Sequence, residues 1–276
     1  MKPGLRRTRA AMRALFQSQV QVDLPDAPKL VLVTDLDGTL LAGKAADRQR
    51  LYRWLDACRD EVLHIFATGR ERRSVAELFD GQEHAPLRQP HLVISDVGCT
   101  VACGDSLELV PLVVDEIERL WEERAPVVAA MTAGEPGIKR QPVTAERRQA
   151  FYADLEAMDP ALLQRLRDQG VDVVLSDGRY LDVLPPGVNK GTTLQRVLEL
   201  LELSGTPVVV AGDTLNDLGL FQTGHAGIMV GNAEAPLLEW LPQLPNTYLA
   251  KGEGCSGILE GLSHFGFGEL LGEAVS

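Results

Sequence analysis

Long hydrophobic runs, cysteines and basic residues are all scarce in this chain of 276 residues. No apolar run approaches the roughly 18 residues that span a bilayer, so we expect no membrane partner. The four cysteines, Cys58, Cys99, Cys103 and Cys255, include no Cys-x-x-Cys pair, which argues against a zinc site or a disulfide framework. Reduced thiols are typical of cytoplasmic proteins, and we expect that location.

Positive charge is in deficit, because 27 lysines and arginines face 39 acidic residues and give a net charge of −12. This balance argues against nucleic acid as a partner. A phosphorylated substrate would therefore need a bound cation or a local basic cluster. The first 22 residues contain five basic residues and no acidic one. We expect residues 1–28 to form an N-terminal extension that is flexible or loosely docked. Its apolar residues also fit a weak amphipathic helix: Leu5, Met12, Leu15, Phe16 and Val20.

Short apolar runs alternate with helical patterns in the rest of the chain. Near-continuous apolar runs of this kind fit parallel strands that are covered on both faces. They occupy residues 29–34, 62–67, 91–95, 207–211 and 228–230. Helical patterns occupy residues 48–59, 72–79, 192–203 and 215–221. The alternation predicts an α/β fold with a doubly wound, Rossmann-like sheet, in which ligands bind at the carboxyl ends of strands.

Residues 111–184 follow a different pattern and are predicted to form an inserted α+β cap. The remaining core would comprise residues 29–110 and 185–268, with a C-terminal tail over 269–276. In the cap, Asp177-Gly178-Arg179 separates two strand-like runs, which is typical of a tight hairpin turn. We expect strands over 137–143, 171–176 and 180–184. We expect helices over 112–124, 144–158 and 160–169, the last two with Thr144 and Asp159 as N-caps.

The most informative motif, Asp35-Leu36-Asp37-Gly38-Thr39, follows the first predicted strand. Two carboxylates one residue apart suit phosphoryl transfer through an aspartyl-phosphate. Asp35 would attack phosphorus, whereas Asp37 would protonate the leaving oxygen and later take a proton from water. The turn at Gly38 and Thr39 would supply backbone donors to the phosphate oxygens.

Two further motifs stand where such a fold needs phosphate ligands. Thr68-Gly69-Arg70 ends the second strand, and there the Thr68 hydroxyl and the Gly69 amide would bind phosphate oxygens. Asn189-Lys190-Gly191 opens a helix, from which Lys190 would direct a compact positive charge at the phosphate and the nucleophile. We also expect Arg70 and Asn189 to bind the substrate.

A fourth motif, Gly212-Asp213-Thr214-Leu215-Asn216-Asp217, carries the hard oxygen ligands that Mg²⁺ prefers. We expect Asp213 to bind the metal directly, together with Asp35 and the main-chain carbonyl of Asp37. Asn216 and Asp217 would hold metal-bound waters. A helix N-cap is a second, compatible role for these acids.

In this order the four motifs resemble those of the haloacid dehalogenase (HAD) phosphohydrolases, and a cap between the second and third motifs resembles their class IIB. Residues 30–268 are similar to the sucrose-phosphate phosphatase family, through segments such as residues 176–185, 230–233 and 257–265. The resemblance implies a Mg²⁺-dependent phosphatase that acts on a phosphorylated disaccharide or glycoside. Residues 96–101 and 139–141 instead resemble the phosphatase portion of bacterial glucosylglycerol-phosphate enzymes. Both resemblances imply a role in the synthesis of compatible solutes, which serve in osmoprotection.

Caps of this class supply substrate specificity. We expect Arg179, at the hairpin tip, to contact sugar hydroxyls or phosphate, with Lys139 and Arg140 as further candidates; a solvated surface charge is the alternative for each. The expected partner is a small phosphorylated sugar bound by a monomer, and a glycosyltransferase synthase is a candidate protein partner. Two other functions stay open: a sugar phosphomutase of the phosphomannomutase type and a non-catalytic subunit that binds phosphorylated sugars.

Overall fold

The computed structural model describes residues 9–81 and 87–272, and strands and helices alternate through most of these two ranges. The strands are β1 (Leu30–Thr34), β2 (Val62–Ala67), β3 (Leu92–Ser95), β4 (Thr100–Cys103), β5 (Ile138–Arg140), β6 (Gln149–Ala153), β7 (Asp172–Ser176), β8 (Tyr180–Leu184), β9 (Val208–Gly212), β10 (Ala226–Met229) and β11 (Thr247–Leu249). The α-helices are α1 (Arg9–Gln19), α2 (Ala45–Ala57), α3 (Arg72–Asp80), α4 (Pro111–Trp121), α5 (Ala125–Thr132), α6 (Leu162–Arg167), α7 (Lys190–Leu200), α8 (Leu218–Phe221), α9 (Ala235–Leu238), α10 (Cys255–His264) and α11 (Gly268–Leu271).

Seven strands form one sheet in the order β11-β10-β9-β1-β2-β3-β4, parallel except for the pair β3 and β4. Both faces of β1 are buried: Val31 and Val33 pack in one apolar cluster with α7, and Leu30 and Leu32 pack in another with α2 and α10. This two-sided burial explains the near-continuous apolar runs. The predicted α/β fold with a doubly wound parallel sheet is confirmed.

The site depends on the central position of β1, which pairs with β2 on one side and β9 on the other. Thr34, its last residue, lies opposite Phe66 of β2 and Ala211 of β9. The segments that follow these three strands therefore begin at the same edge of the sheet. They carry three of the four predicted motifs, as expected for the carboxyl ends of parallel strands.

A second, antiparallel sheet has the order β5-β6-β8-β7 and lies within residues 138–184. The turn between β7 and β8 has positive φ at Asp177 (50°) and Gly178 (60°), as a type I′ hairpin turn requires. Helix α4 joins the two parts of the molecule. Its residues Val113 and Ile117 pack in the core of the first sheet, whereas Trp121 packs in the core of the second.

The helix expected over 144–158 is wrong, because its centre is the strand β6. This strand pairs with β5 and β8, and it buries Phe151 and Ala153 while Tyr152 is exposed. Sheet pairing outweighs the local helix preference of this segment. Thr144 caps no helix, since its amide and hydroxyl both donate to Oε2 of Glu71, at 2.7 and 2.6 Å.

The expectation of a flexible or loosely docked N-terminal extension is also wrong for its described residues, 9–28, where the amphipathic helix considered for this segment forms as α1. Helix α1 contacts α4 and α7, and it buries Phe16 completely in the core of the first sheet. Gln19 accepts a hydrogen bond from the amide of Leu112 at 2.9 Å. Residues 1–8, including Leu5, lie outside the described residues, as do residues 82–86 and 273–276. Within the described ranges, no helix has the length and apolar character to cross a bilayer.

We predict that Phe16→Ala lowers the free energy of unfolding by about 3 kcal/mol, because it empties a filled core position. Urea unfolding of the whole chain measures the change. Gln17→Ala, one residue along on the exposed side of the same helix, is the control and should change stability by less than about 0.5 kcal/mol. Equal, small effects of the two variants would mean that α1 is not docked in solution.

Two buried histidines should make stability depend on pH. Burial lowers the pKa of His64 to about 3 and that of His91 to about 4. Nδ1 of His64 and Nε2 of His91 have no hydrogen-bond partner within the described structure. As the pH falls below about 6.5, the unfolded chain therefore binds these protons first, and the folded state loses stability.

Between about pH 7.5 and about pH 5, each histidine should cost about 2 kcal/mol of unfolding free energy. His64→Gln should reduce the difference in unfolding free energy between about pH 7.5 and about pH 5 by about 2 kcal/mol, whatever its effect on stability at either pH. Urea unfolding at both pH values gives the difference. An undiminished difference in the variant would show that His64 does not contribute to it.

Candidate active site

Asp35 and Lys190 form the centre of the site. Asp35 follows β1, and its amide donates to the carbonyl of Ala211 in β9 at 2.9 Å. Lys190 begins α7, is fully buried, and donates from Nζ to Oδ1 of Asp35 at 2.8 Å. The strand end therefore fixes a carboxylate against a buried ammonium group, and motifs far apart in sequence meet there as predicted.

Lys190 has two further acceptors, which define the roles of the fourth motif. Its Nζ donates to Oδ1 of Asn216 and to Oδ1 of Asp217, both at 2.6 Å. The other oxygen of Asp217 accepts from the amides of Asp213 and Thr214 at 3.0 and 3.1 Å. Asp217 thus holds both the lysine and the loop that carries Asp213. The N-cap of the short helical turn is Thr214 and not one of the acids, and Asp217 takes part in the capping box by accepting from the Thr214 amide.

Three carboxylates could hold a cation. Ligand atoms of Asp35, Asp213 and Asp217 lie within 4.8 Å of one another, and all three residues are buried. Burial raises the pKa of Asp35 well above 3.8; Lys190 opposes the shift, whereas Asp217 and Asp213 add to it. Burial and the charge of Asp217 raise the pKa of Asp213 to about 7. One ammonium therefore leaves negative charge uncompensated here, and this donor set fits a hard divalent ion.

Gly38 and Thr39 shape the metal side of the site. Thr39 donates from its buried hydroxyl to Oδ1 of Asp213 at 2.7 Å, so its side chain orients that carboxylate. Gly38 has φ 79°, and a Cβ there would meet Oδ2 of Asp213 at 2.0 Å. Its carbonyl accepts from Nδ2 of Asn232 at 2.7 Å, while Oδ1 of Asn232 accepts from the amide of Gly254. Asn232 secures the turn, a role that sequence reasoning did not assign.

The second motif lies beside Asp35 and Asp37. Thr68 is fully buried, and its hydroxyl accepts from the amide of Arg70 at 3.1 Å. Gly69 and Arg70 line the cavity described below. Arg70 binds Asp37 in a bidentate pair, from Nε to Oδ2 at 2.7 Å and from Nη2 to Oδ1 at 2.6 Å. The carboxylate expected to transfer protons is therefore held by the neighbouring motif.

Asn189, expected to bind substrate, is placed as a helix cap. Its side-chain oxygen accepts from the amides of Gly191 and Thr192 at 2.9 and 3.0 Å, and Thr192 completes a capping box. Asn189 is not among the residues that line the cavity. Its contribution is to fix the first turn of α7, and with it the position of Lys190.

A cavity of about 560 Å³ opens between the two sheets and includes Asp35 and Asp213 in its wall. Its size lies within the range of small-molecule sites. Arg179 lies on the cavity wall as expected; its Nε donates to Oδ2 of Asp177 at 2.9 Å, and its guanidinium lies 4.7 Å from the Tyr180 ring centre. The cap wall also holds residues that sequence reasoning missed: Gln141, Val143, Arg148, Ser176, Tyr180 and Asp182.

Lys139 and Arg140, the other two cap candidates, are not brought to the site. They lie exposed on β5, at the edge of the second sheet, and outside the described residues that line the cavity. Gln141 and Val143, just beyond that strand, line the cavity instead. The sequence does not distinguish Lys139 and Arg140 from Gln141 and Val143, because which side chains reach the cavity depends on where the three-residue edge strand β5 ends.

Two acidic residues of the core bind the cap on either side of this cavity. Oε2 of Glu71 accepts both hydrogen bonds from Thr144. Oε2 of Glu234 accepts from the amide of Asp177, at the β7–β8 turn, at 3.1 Å, while its Oε1 accepts from the amide of Leu215. The cap is therefore closed over the carboxyl end of the large sheet. Glu71 and Glu234 were not singled out from the sequence, where they read as ordinary surface acids.

Comparison with known proteins agrees with this geometry. Residues 28–266 match the family model described as sucrose-6F-phosphate phosphohydrolase. The glucosylglycerol-phosphate synthase of Pseudomonas anguilliseptica is 39% identical over 239 residues, covering 86% of this chain but only 31% of the synthase. The mannosylfructose-phosphate phosphatase of Agrobacterium fabrum is 30% identical over 255 residues, covering 87% of this chain and 98% of that protein.

A solved structure extends the similarity to the fold. The sucrose-phosphatase of Synechocystis, in complex with sucrose and phosphate, has a TM-score of 0.76 at 29% identity, and the match covers 86% of this chain and 98% of that one. The family match spans both sheets and all four motifs. The chain therefore has the HAD fold, and it belongs to the sucrose-6F-phosphate phosphohydrolase family.

Proposed function

We propose that the protein is a Mg²⁺-dependent phosphatase of a phosphorylated glycoside, of the glucosylglycerol 3-phosphate or sucrose 6-phosphate type. It would act in the cytoplasm in the synthesis of a compatible solute. The observation that carries the proposal is the buried Asp35 carboxylate, held by Lys190 at 2.8 Å on the wall of the cavity between the two sheets. A nucleophile fixed beside a positive charge is what attack on a phosphate group needs.

The reaction would proceed in two displacements. An oxygen of Asp35 forms a bond to phosphorus while the bond from phosphorus to the sugar oxygen breaks, and Asp37 gives that oxygen a proton. Asp37 then takes a proton from water, which attacks phosphorus and releases phosphate and free Asp35. The bidentate pair with Arg70 has to open before Asp37 can give up a proton, so entry of the substrate would have to rearrange this pair.

The clustered carboxylates support Mg²⁺ at Asp35 and Asp213, and we propose the main-chain carbonyl of Asp37 as a third ligand. When bound, the ion would neutralise the clustered carboxylates and polarise the phosphate oxygens. Asp217 and Asn216 fit the surrounding shell better than direct ligation, because all their side-chain oxygens are already bonded. One oxygen of Asp217 binds Lys190 and the other the amides of Asp213 and Thr214, and the single oxygen of Asn216 binds Lys190. The hydroxyl of Thr39 would hold Asp213 in the orientation that the ion needs.

The cap favours a substrate with a glycosyl group. Polar side chains of Gln141, Ser176, Arg179 and Tyr180 face the cavity opposite Asp35 and can bond sugar hydroxyls. Relatives named for glucosylglycerol phosphate, mannosylfructose phosphate and sucrose support this class. The chain spans under a third of the synthase, and we propose a glycosyltransferase synthase as the source of substrate. We further propose that this chain works as a monomer.

A phosphomutase would need a second phosphate site, and nothing in the cavity favours one. Each of its three arginines already pairs with a carboxylate: Arg70 with Asp37, Arg148 with Asp96 and Asp182, and Arg179 with Asp177. A binding subunit without catalysis would have no use for the buried nucleophile. Activation of the wild-type enzyme by a sugar bisphosphate would nevertheless point to a mutase.

A panel of substrates and the variant Asp35→Asn test the substrate class and the nucleophile. With Mg²⁺, the wild type should release phosphate from glucosylglycerol 3-phosphate or sucrose 6-phosphate much faster than from mannose 6-phosphate, which has no glycosidic group. EDTA should abolish this release. Asp35→Asn should lower kcat by at least about 10⁴-fold, since it removes the attacking oxygen. Unchanged release by the variant would exclude the aspartyl-phosphate, and equally slow release from all three substrates would exclude the proposed substrate class.

The hydroxyl of Thr39 should affect the Mg²⁺ concentration that activates the enzyme. Thr39→Val should weaken Mg²⁺ activation by about 10- to 100-fold in the concentration of half-maximal activity, because Asp213 loses its orienting hydrogen bond. Thr193→Val is a matched control. It removes an equally buried hydroxyl, bonded at 2.8 Å to the carbonyl of Gly98, away from the carboxylates. The same Mg²⁺ dependence in both variants would remove Thr39 from the metal site.

A further inference from the structure

The segment Asp96-Val97-Gly98 supports two motifs of the active site at once. The amides of Asp96 and Val97 donate to the carbonyls of Arg70 and Thr68, at 2.9 and 3.1 Å. Gly98 packs on the start of α7, where an added Cβ would meet the carbonyl carbon of Asn189 at 2.3 Å. The segment therefore lies between residues 68–70, which we call the phosphate-binding loop, and the helix turn that carries Lys190.

This support segment, residues 96–98, is held in an unfavourable backbone conformation. Asp96 and Val97 have φ of 54° and 58°, although β-branched residues rarely enter the left-handed region. Such conformations persist only where surrounding contacts determine them. Contacts that fix the support segment therefore also fix the geometry of the phosphate-binding loop.

Arg148 supplies such a contact from the cap. It stands directly before β6 and is only 3% exposed. Its Nε donates to Oδ1 of Asp96 at 3.1 Å, its Nη2 to the carbonyl of Gly69 at 2.9 Å, and its Nη1 to Oδ1 of Asp182 in β8. Burial opposes its charge, but the fields of Asp182 and Asp96 outweigh burial and raise the pKa of Arg148, so the guanidinium stays charged.

We propose that Arg148 is a positioning residue that couples the cap to the phosphate site, because one guanidinium binds the cap carboxylate of Asp182, the support segment at Asp96 and the loop carbonyl of Gly69. Through this link the cap supplies contacts that hold the phosphate-binding loop. This inference rests on the phosphatase chemistry of the site but not on the identity of the sugar. It also gives Asp182 a role, since its ion pair fixes the cap end of the link.

The neighbouring Arg147 provides a matched control. It is almost as buried, at 6%, and also reaches from the cap side to the core. Its bonds, however, go to the carbonyl of Cys99 at 3.2 Å and to Glu118 at 3.0 Å, and not to Asp96 or Gly69. Arg147→Lys should therefore disturb packing and stability much as Arg148→Lys does, without a direct effect on the phosphate-binding loop.

The test compares Arg148→Lys and Arg147→Lys in the full chain with p-nitrophenyl phosphate and Mg²⁺, a probe that needs no sugar contact. A lysine carries its three donors on one nitrogen and cannot reproduce the spread of the guanidinium across Asp96, Gly69 and Asp182, so Arg148→Lys should lower kcat by about 10- to 100-fold and raise the inhibition constant of orthophosphate. Arg147→Lys should change both values by less than about threefold. Urea unfolding of the two variants reports any shared loss of stability.

Chemical rescue separates positioning from folding. Arg148 lies on the wall of the cavity, so Arg148→Ala should leave a space that millimolar guanidinium can enter from the active site. Guanidinium should then restore part of kcat to Arg148→Ala but not to Arg147→Ala. Equal losses in the two lysine variants, or a loss in Arg148→Ala that follows stability alone and is not rescued, would overturn the proposal. A flat substrate panel with intact rescue would overturn only the sugar assignment.

Discussion

The buried ammonium of Lys190 is the interaction on which the rest of the structure depends. It is completely buried at the first turn of a helix, where the helix dipole disfavours a positive charge. Among the described residues, the oxygens of Asp35, Asn216 and Asp217 accept its hydrogen bonds and offset that cost. Removing one partner from a buried ion pair typically costs about 3–5 kcal/mol. Strand β1, helix α7 and the loop after β9 are thus held in one arrangement by a single charge.

The sequence was sufficient to predict the large sheet and the motif residues that meet at its edge. Buried parallel strands have an unmistakable composition, and their carboxyl ends must lie together. Roles within the site were harder to assign. Thr39 and Asn189 are side chains of the predicted motifs, yet they bond to Asp213 and to the helix turn. Their hydroxyl and amide groups can serve a ligand or the protein equally well, and only the three-dimensional arrangement decides between these uses.

What escaped prediction depends on contacts between distant segments. The residues of β6 prefer a helix locally, but β5 and β8 offer a pairing that this segment completes. Phe16 secures α1 because a core position is open to it; the amphipathic pattern of the N-terminal segment indicated a helix but not the core that receives it. Adjacent arginines such as Arg147 and Arg148 are typical of a solvated surface. Here both are buried, since carboxylates and carbonyls from the core surround them.

The contacts between cap and core are of two kinds, exchangeable hydrogen bonds at the edge of the cavity and a buried guanidinium. Glu71 and Glu234 bind Thr144 and the amide of Asp177, close to the cavity wall, through groups that water can replace when the cap opens. Arg148 is different, because its charge is buried and would lose both of its core partners, Asp96 and Gly69, if the cap carried it away. Opening is therefore easiest as a swing that breaks the two peripheral contacts while Arg148 keeps its own. On this argument the hinge lies on the side of Arg148, and the cap can admit a substrate without releasing the phosphate-binding loop.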